Sequence, residues 1–409
     1  MNQVFTFAFI FIFLTSSVQS RATETIEIGI LTSASIQKQI YLKHAQRFMA
    51  QNPEITLELI FKPDAEYKED FSKWLNQGKG PDILSWQAGT RLTSLIEKGQ
   101  ISDLSEFYQS HSLRSDFSES ALGASSYNSK LYAIPISYYH WGFFYRESVF
   151  EALSLSPPSS WEEFKHVCKT LKENGIIPIT VGAKYHWPVA AWFDYLNLRL
   201  NGFEFHIALL DGQYSFRDPR VIEVFKKWKE LLDEGYFLEQ YDLWTWLEAM
   251  PYLYHRKAGM TLIGNFFAGS MPPALIDDFK FFRFPIIDKR VELYEEAPLD
   301  LLVVPYYTKV DKNIEKVLKM FAGVEFQQAF NKASAMISPN IKTADNPDYF
   351  ITKGQETLSE AKAVSQFFDR DTKDEFAASA TQILSDFVKD ANIDNTINAL
   401  ENARVKHLK

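Results

Sequence analysis

The side chains that could perform catalysis or hold a metal are scattered along the chain. Its eight histidines form no HExxH or HxH pair, so a metal site would need ligands gathered by the fold alone. The sequence has no GxSxG nucleophile motif and no Gly-rich phosphate-binding loop. The single cysteine, Cys168, lies on the apolar side of a predicted helix with Phe164 and Leu171, which favours a core thiol. We therefore predict no catalytic residue, no metal and no cofactor.

Aromatic side chains with polar neighbours stand where predicted strands end. The clearest cases are Trp86, Tyr139, Trp141, Trp187 and the Asn265-Phe266 pair. Ligands of open α/β sheets bind beyond the carboxyl ends of the strands. A flat ring can cover the apolar C–H face of a pyranose, while amides, carboxylates and arginines bind its hydroxyls. These placements predict a cleft that recognises a saccharide.

The composition indicates a folded, acidic protein that is rich in aromatic residues. The chain has 409 residues, and about 150 residues per domain predicts two or three domains. A net charge of −9 without a Lys/Arg-rich block argues against nucleic acid as a partner. The 34 Phe, 19 Tyr and 9 Trp are enough to fill a core and also line a cleft.

Residues 1–22 are predicted to be a secretory signal peptide. The apolar run from Val4 to Leu14 is shorter than the roughly 20 residues that span a membrane, and small residues follow it. Cleavage is expected near Ser20 or Ala22, although the residues before the run include no Lys or Arg. Because no cysteine lies near the cleavage point, we predict a periplasmic protein that is secreted through the inner membrane and is not lipid-anchored.

The remaining pattern alternates between strands and helices. Strands are predicted over 25–31, 55–61 and 82–86, and helices over 35–52, 67–76 and 91–98. This order is typical of a parallel sheet with helical crossovers. A long strand-like stretch over 132–146 leads into a second α/β region. That region has predicted helices over 160–174 and 219–234, strands near 179–181, 258–263, 279–284 and 299–305, and a mostly helical end.

Five motifs, in order along nearly the whole mature chain, resemble those of family 1 extracellular solute-binding proteins. Gly78 to Trp86 (GKGPDILSW), followed by Arg91, resembles the family's GxGPDI…W…R signature. The other four are 132–135 (YAIP) with 144–146 (FYR), 158–164 (PSSWEEF), 257–265 (KAGMTLIGN) and 367–371 (FFDRD). Members of this family, such as maltose-binding protein, are sugar-binding subunits of ABC importers.

The resemblance implies a two-lobed periplasmic-binding-protein type II fold. Two discontinuous α/β lobes are then joined by a multi-segment hinge, with the ligand cleft between them. The implied N-terminal lobe is 23–135 plus 304–337, and the C-terminal lobe is 136–303 plus 338–409. Segments near 135–138, 299–303 and 336–339 are expected to cross between the lobes.

The resemblance also implies which residues contact the ligand. The expected contacts are Thr32, Ser33, Trp86, Arg91, Tyr139, Trp141, Trp187, Asn265, Phe266, Asp300, Phe368 and Asp369. Asp300 has an alternative role as a cap of a helix or a strand. The implied partners are a small saccharide and membrane-embedded ABC permease subunits, with the protein itself a monomer.

The sequence departs from maltose-binding protein in two places. The loop after the first strand has no charged residue, and Gln87 follows Trp86 where an acid is expected. A saccharide is therefore implied, but not maltose itself. Two alternatives stay open: an exported glycan-active enzyme that uses a carboxylate pair in the same cleft, and a ligand-sensing partner of a membrane receptor.

Overall fold

The structure, a computed structural model, describes residues 23–344 and 347–409. The predicted signal peptide and its cleavage site lie outside the described residues. The first part of the chain contains β1 (Glu24–Leu31), α1 (Ser35–Gln51), β2 (Ile55–Lys62), α2 (Asp64–Gln77), β3 (Ile83–Gln87), α3 (Thr90–Glu97), α4 (Ser105–Ser110), α5 (Glu119–Ala124), β4 (Ser126–Tyr127), β5 (Lys130–Leu131) and β6 (Ala133–Tyr138).

The middle and last parts add the elements of a second α/β region and a helical end. The middle part contains β7 (Trp141–Arg146), α6 (Glu147–Ala152), α7 (Trp161–Glu173), β8 (Ile177–Ile179), α8 (Trp187–Asn201), α9 (Phe203–Leu210), α10 (Pro219–Asp233), α11 (Trp246–Tyr254), β9 (Ala258–Gly264), β10 (Phe279–Phe282), β11 (Tyr294–Glu296) and β12 (Leu299–Val303). The last part contains α12 (Lys312–Ala322), α13 (Val324–Ser334), α14 (Tyr349–Ser359), β13 (Ala363–Ser365), α15 (Asp374–Asp390) and α16 (Ile393–His407). None of the helices in the described ranges is both long and apolar enough to cross a bilayer.

The first sheet has the strand order β2-β1-β3-β12-β6. Strand β1 pairs in parallel with β2 and β3, and its alternating Ile26, Ile28 and Ile30 are buried, as the sequence pattern predicts. Strand β12 runs antiparallel to both β3 and β6. Because β1, β2 and β3 are parallel, the loops that follow them lie at one edge of the sheet.

The second sheet has the strand order β10-β7-β9-β8. Helix α7 begins with a capping box, in which Ser160 and Glu163 bond each other's backbone N–H groups. Helix α8 is buried along almost its whole length, and Cys168 of α7 is a buried free thiol. The predicted two-part α/β organisation is therefore present.

One predicted strand is divided between the two sheets. The pattern over 132–146 predicts a single long strand, but β6 lies in the first sheet and β7 lies in the second. The break falls at Tyr139 and His140, where the Tyr139 N–H donates to the carbonyl of Pro298 at 3.2 Å. Buried strands of both sheets share the same apolar pattern, so periodicity does not reveal where the chain changes sheet.

The three segments that were predicted to cross between lobes lie side by side. Tyr138 and Ile337 exchange backbone hydrogen bonds of 2.9 and 3.0 Å, and Tyr138 also pairs with Leu299. Strand β12 belongs to the first sheet, although a boundary after residue 303 would assign it to the second lobe. It pairs with both β3 and β6 of that sheet.

Candidate ligand-binding site

A cavity of about 590 Å³ is lined by residues from both sheets and from the loops after their strands. This volume lies within the range of about 300–1,000 Å³ that is typical of small-molecule sites. The amino termini of α1, α2, α8 and α11 all contribute to the lining. A cavity at the carboxyl ends of β1 and β3 agrees with the rule for ligand sites in open α/β sheets.

The loop after β1 supplies hydroxyl and amide groups. The Thr32 hydroxyl donates to Gln37 Oε1 at 2.5 Å and accepts from the backbone N–H of Ala34 at 3.1 Å. Ser33 and Ser35 also line the cavity. No described side chain caps the amino terminus of α1, and its first turn contains no acid. Its leading N–H groups are therefore available to oxygen atoms of a ligand.

A chain of ion pairs connects α2, α3 and the segment after β13. Lys68 Nζ lies 3.0 Å from Asp64 Oδ1 and 4.0 Å from Asp369 Oδ2. Arg91 Nη2 lies 2.9 Å from the same Asp369 oxygen. Arg91 also donates to Gln87 Oε1 at 2.6 Å. Burial alone would raise the pKa of Asp369, but the charges of Arg91 and Lys68 outweigh burial and hold that pKa below its ordinary value.

Arg370 connects three groups at the centre of the cavity. Its guanidinium donates to Asp300 Oδ1 at 3.1 Å, to the Leu299 carbonyl at 3.3 Å and to the Tyr139 hydroxyl. Enclosure within the cleft raises the pKa of Asp300, although the Arg370 charge opposes that shift. Burial likewise raises the pKa of Tyr139, so its phenol remains a neutral hydrogen-bonding group.

Three aromatic rings form a corner in the cavity wall, beside Tyr139. Trp141 and Trp187 are inclined at 88° with their centroids 6.1 Å apart, and Phe266 is inclined at 79° to Trp141 and at 62° to Trp187. Phe367 stacks on Trp141 at 4.6 Å, and Trp246 lies 5.1 Å from Phe266. These steeply inclined rings make a concave apolar surface that suits the C–H face of a sugar.

Trp86 belongs to both the core and the cavity wall. Its ring stacks on Phe71 with a centroid distance of 3.7 Å and an interplanar angle of 5°, and the residue is only 6% exposed. One face of the ring therefore packs in the core, and only a small part of the residue reaches the cavity.

Buried carboxyl groups hold the segment 366–371, which contributes to the cavity. Asp194 accepts from the Phe368 N–H at 2.6 Å, and Asp371 accepts from the Gln366 N–H at 2.8 Å. Asp194 and Glu296 are both fully buried. Burial raises the pKa of both groups, and the Asp194 charge raises that of Glu296 further.

Most of the residues that the sequence suggested as ligand contacts line this cavity. They are Thr32, Ser33, Trp86, Tyr139, Trp141, Trp187, Phe266, Asp300 and Asp369. The structure therefore brings side chains from distant parts of the chain to one place, and Asp300 is positioned to face a ligand.

Three suggested contacts lie elsewhere, which corrects the expectation of direct contact for them. Arg91 lies behind Asp369 and supports its carboxylate. Asn265 is fully buried, and its amide donates to the Ala335 carbonyl. Phe368 is fully buried and packs with Phe193 in the core. Local turns and core packing, which the motif does not specify, direct these side chains away from the cavity.

Several lining residues were missed by sequence reasoning. They are Gln37, Asp64, Lys68, Trp246, Phe367 and Arg370. Asp64 and Lys68 carried a usable signal, because they are four residues apart on a helix that follows the carboxyl end of β2. Among residues 23–344 and 347–409, no group of three or more His, Cys, Asp or Glu side chains is arranged to hold a metal ion.

Known proteins share this fold over most of the chain. An uncharacterized ABC transporter extracellular-binding protein of Pyrococcus horikoshii is 22% identical over 407 residues, which is 96% of this chain and 90% of that protein. The bacterial solute receptor AcbH, described as having an exclusive preference for β-D-galactopyranose, is 25% identical with a TM-score of 0.87 over 94% of this chain and 98% of its own. A chitin oligosaccharide binding protein is 19% identical with a TM-score of 0.87 over 94% of this chain and 99% of its own.

The motif resemblance and the two-lobed fold are thereby confirmed. The family indicates a periplasmic or extracellular location and a role with an ABC transporter. Residues 33–328 match the family described as bacterial extracellular solute-binding protein, and the chain belongs to that family.

Proposed function

We propose that this protein is a periplasmic carbohydrate-binding protein that captures a sugar or an oligosaccharide and delivers it to an ABC transporter. The cavity carries the proposal: its lining combines hydroxyl, amide, carboxylate and guanidinium groups with the aromatic corner. A pyranose has hydroxyls around its rim and apolar C–H faces, so it complements both kinds of group at once. That some relatives are described as binders of galactopyranose and chitin oligosaccharide supports the same ligand class.

Capture requires the two lobes to close around the ligand. We assign the lobes approximately as 23–135 with 304–337 and 136–303 with 338–409, with the second crossing shifted to about Pro298 because β12 pairs in the first sheet. Between the lobes, the Arg91 N–H donates to the Arg370 carbonyl at 3.4 Å, and the Arg91 side chain pairs with Asp369. An opening motion must break these contacts.

The same geometry favours binding without reaction. A glycoside hydrolase needs one carboxylic acid and one carboxylate directed at the scissile bond. Here Asp64 pairs with Lys68, Asp300 with Arg370 and Asp369 with Arg91. All three lining carboxylates are thus held by cations of the protein. We infer that the ligand leaves unchanged, as a transport receptor requires.

A saccharide panel tests this proposal. The mature chain is titrated calorimetrically, and by tryptophan fluorescence, with glucose, galactose, xylose and N-acetylglucosamine and with their di- to tetrasaccharides. At least one member should bind and raise the melting temperature. If no sugar of the panel binds by either method, the proposal is wrong.

Three further measurements test the rest of the proposal. Each bound sugar should be recovered intact after long incubation, and a hydrolysed product would support the enzyme alternative. The mature protein should carry no fatty acid, and its mass in light scattering should be that of a monomer. Uptake of the bound sugar by cells should depend on the gene for this chain, which separates a transport receptor from a sensor.

A further inference from the structure

The charged groups of the cavity lining are all engaged with one another. Among the described lining residues, three carboxylates (Asp64, Asp300 and Asp369) face two cations (Lys68 and Arg370). Lys68 lies 3.0 Å from Asp64, and Arg370 lies 3.1 Å from Asp300. No cation of this lining is therefore left without a carboxylate, and the lining has a small excess of negative charge.

Asp300 is more exposed than the arginine that pairs with it. The Arg370 side chain is 5% exposed and its partner Asp300 is 38% exposed. The other lining pair is more even, since Lys68 is 27% exposed and Asp64 is 33% exposed. A ligand beside Asp300 therefore meets carboxylate oxygens before it meets the Arg370 guanidinium. These oxygens can accept hydrogen bonds from hydroxyls, but they repel an anion.

The helix amino termini of the lining have the opposite polarity. Those of α1 and α8 have no side-chain cap and no acid in the first turn, and each carries the positive end of a helix dipole, equivalent to about half a unit charge. Each partial charge is smaller than the charge of any one of the nearby carboxylates, and the N–H groups also suit neutral hydroxyl oxygens. They therefore offset the small negative excess without creating a cationic site.

We propose, on the basis of the function proposed above, that this cavity selects uncharged saccharides and rejects those that carry a carboxylate, a sulfate or a phosphate. Hydroxyl groups donate to Asp300 and Asp64 without displacing Lys68 or Arg370. An anionic sugar would have to displace one of these carboxylates from its cation, or lie beside it unpaired. Specificity then comes from the repulsive arrangement as much as from the attractive one.

Matched ligands that differ only in charge test the inference. The probes are galactose, galacturonate and galacturonamide, the same three forms of glucose, oligogalacturonides of two and three units, and N-acetylglucosamine with its 6-sulfate. If the neutral panel identifies a longer ligand, its uronic acid and uronamide are added. The acid should bind at least about a hundredfold more weakly than the neutral sugar, which corresponds to about 2.7 kcal/mol. The uronamide, which has nearly the same size, should stay within about tenfold of the neutral sugar.

Variants locate the origin of the selection. Asp300→Asn leaves Arg370 without its carboxylate and should reduce the discrimination against the acid by about tenfold or more. Asp64→Asn should also reduce the discrimination against the acid, because it removes the carboxylate that pairs with Lys68. It replaces the first variant in the test if Asp300→Asn does not fold. Asp70→Asn is the matched control, because Asp70 pairs with Lys62 outside the lining.

The possible results separate this inference from the proposed function. Charge selection is wrong if an acidic sugar binds within tenfold of its neutral counterpart, or if the uronamide binds as weakly as the acid. Saccharide binding stands in either case. If neither neutral nor acidic sugars bind, the proposed function fails and the inference fails with it.

Discussion

Replacement of Trp187 by alanine should weaken saccharide binding much more than it weakens the fold. A fully covered tryptophan buries about 150–250 Å², and Trp187 is partly exposed, so a ligand can cover about 60–100 Å² of its ring. At about 25 cal/mol per Å², this contact is worth about 1.5–2.5 kcal/mol. Trp187→Ala should therefore raise the dissociation constant about tenfold to seventyfold.

The effect of Trp187→Ala on stability should be smaller than that of losing a core tryptophan. The ring meets Trp141, Phe266 and Phe367 at steep angles with centroid distances of about 6 Å, and it is not enclosed by them. We expect a loss of about 1–2 kcal/mol in unfolding free energy, compared with about 3–5 kcal/mol for a buried tryptophan.

Calorimetric titration beside a denaturant melt measures both quantities on the same samples. Trp244→Ala is the matched control, because Trp244 is partly buried in the second α/β region but does not line the cavity. It should lose stability and keep the parent affinity, and Trp187→Phe should recover part of the binding. The reasoning is refuted if Trp187→Ala binds as tightly as the parent, or if Trp244→Ala loses as much affinity.

Four other substitutions have defined outcomes. At Gly89, where φ is +92°, a Cβ would lie 2.4 Å from the Arg370 carbonyl oxygen, so Gly89→Ala should lower both melting temperature and affinity. Gly99→Ala, at φ +67° with nothing within 4 Å of the new Cβ, should lower only the melting temperature. Arg370→Lys keeps the charge but loses the planar fork, so calorimetry should show about tenfold weaker binding, and unchanged affinity would contradict that role. Burial raises the pKa of Asp371 to about 6. Between about pH 4 and pH 6 the folded protein therefore retains a proton that the unfolded chain has released. As the pH rises through that range, the contribution of Asp371 to the free energy of unfolding falls. Denaturant melts of Asp371→Asn should therefore show its stability relative to the parent rising by about 2 kcal/mol from pH 4 to pH 7, and a flat difference would refute the shift.

The elements of the first sheet could be predicted from sequence because local signals agree there. Alternating isoleucines identify β1, and the glycine after α2 ends that helix in the left-handed conformation, within a residue or two of the expected positions. The division of 132–146 into two strands could not be predicted, because it depends on pairing with β12 and β9, which are distant in the chain.

The candidate site shows the same division between local and long-range information. Trp86 lies near the carboxyl end of β3, and Trp187 begins the helix after β8, so sequence position is enough to suggest them. In the segment 366–371, however, Phe367 lines the cavity and Phe368 lies in the core. That choice is fixed by the hydrogen bond from the Phe368 N–H to Asp194, which is contributed by a helix far away in sequence. A motif names the residue types in such a turn but does not say which way each one points.

If the lobes close as proposed above, the three hydrogen-bonded segments between them give the protein a way to change its affinity without changing its ligand contacts. When only a fraction of molecules adopts the binding-competent arrangement, the apparent dissociation constant is the intrinsic one divided by that fraction. In that proposed motion the backbone bonds between Tyr138 and Ile337 would influence the fraction, and neither residue lines the cavity. Sequence drift at these positions could therefore shift the sugar concentration at which uptake begins while the choice of sugar stays the same. A transport system could in this way be matched to scarce or abundant nutrients by mutations that no inspection of the cavity would identify.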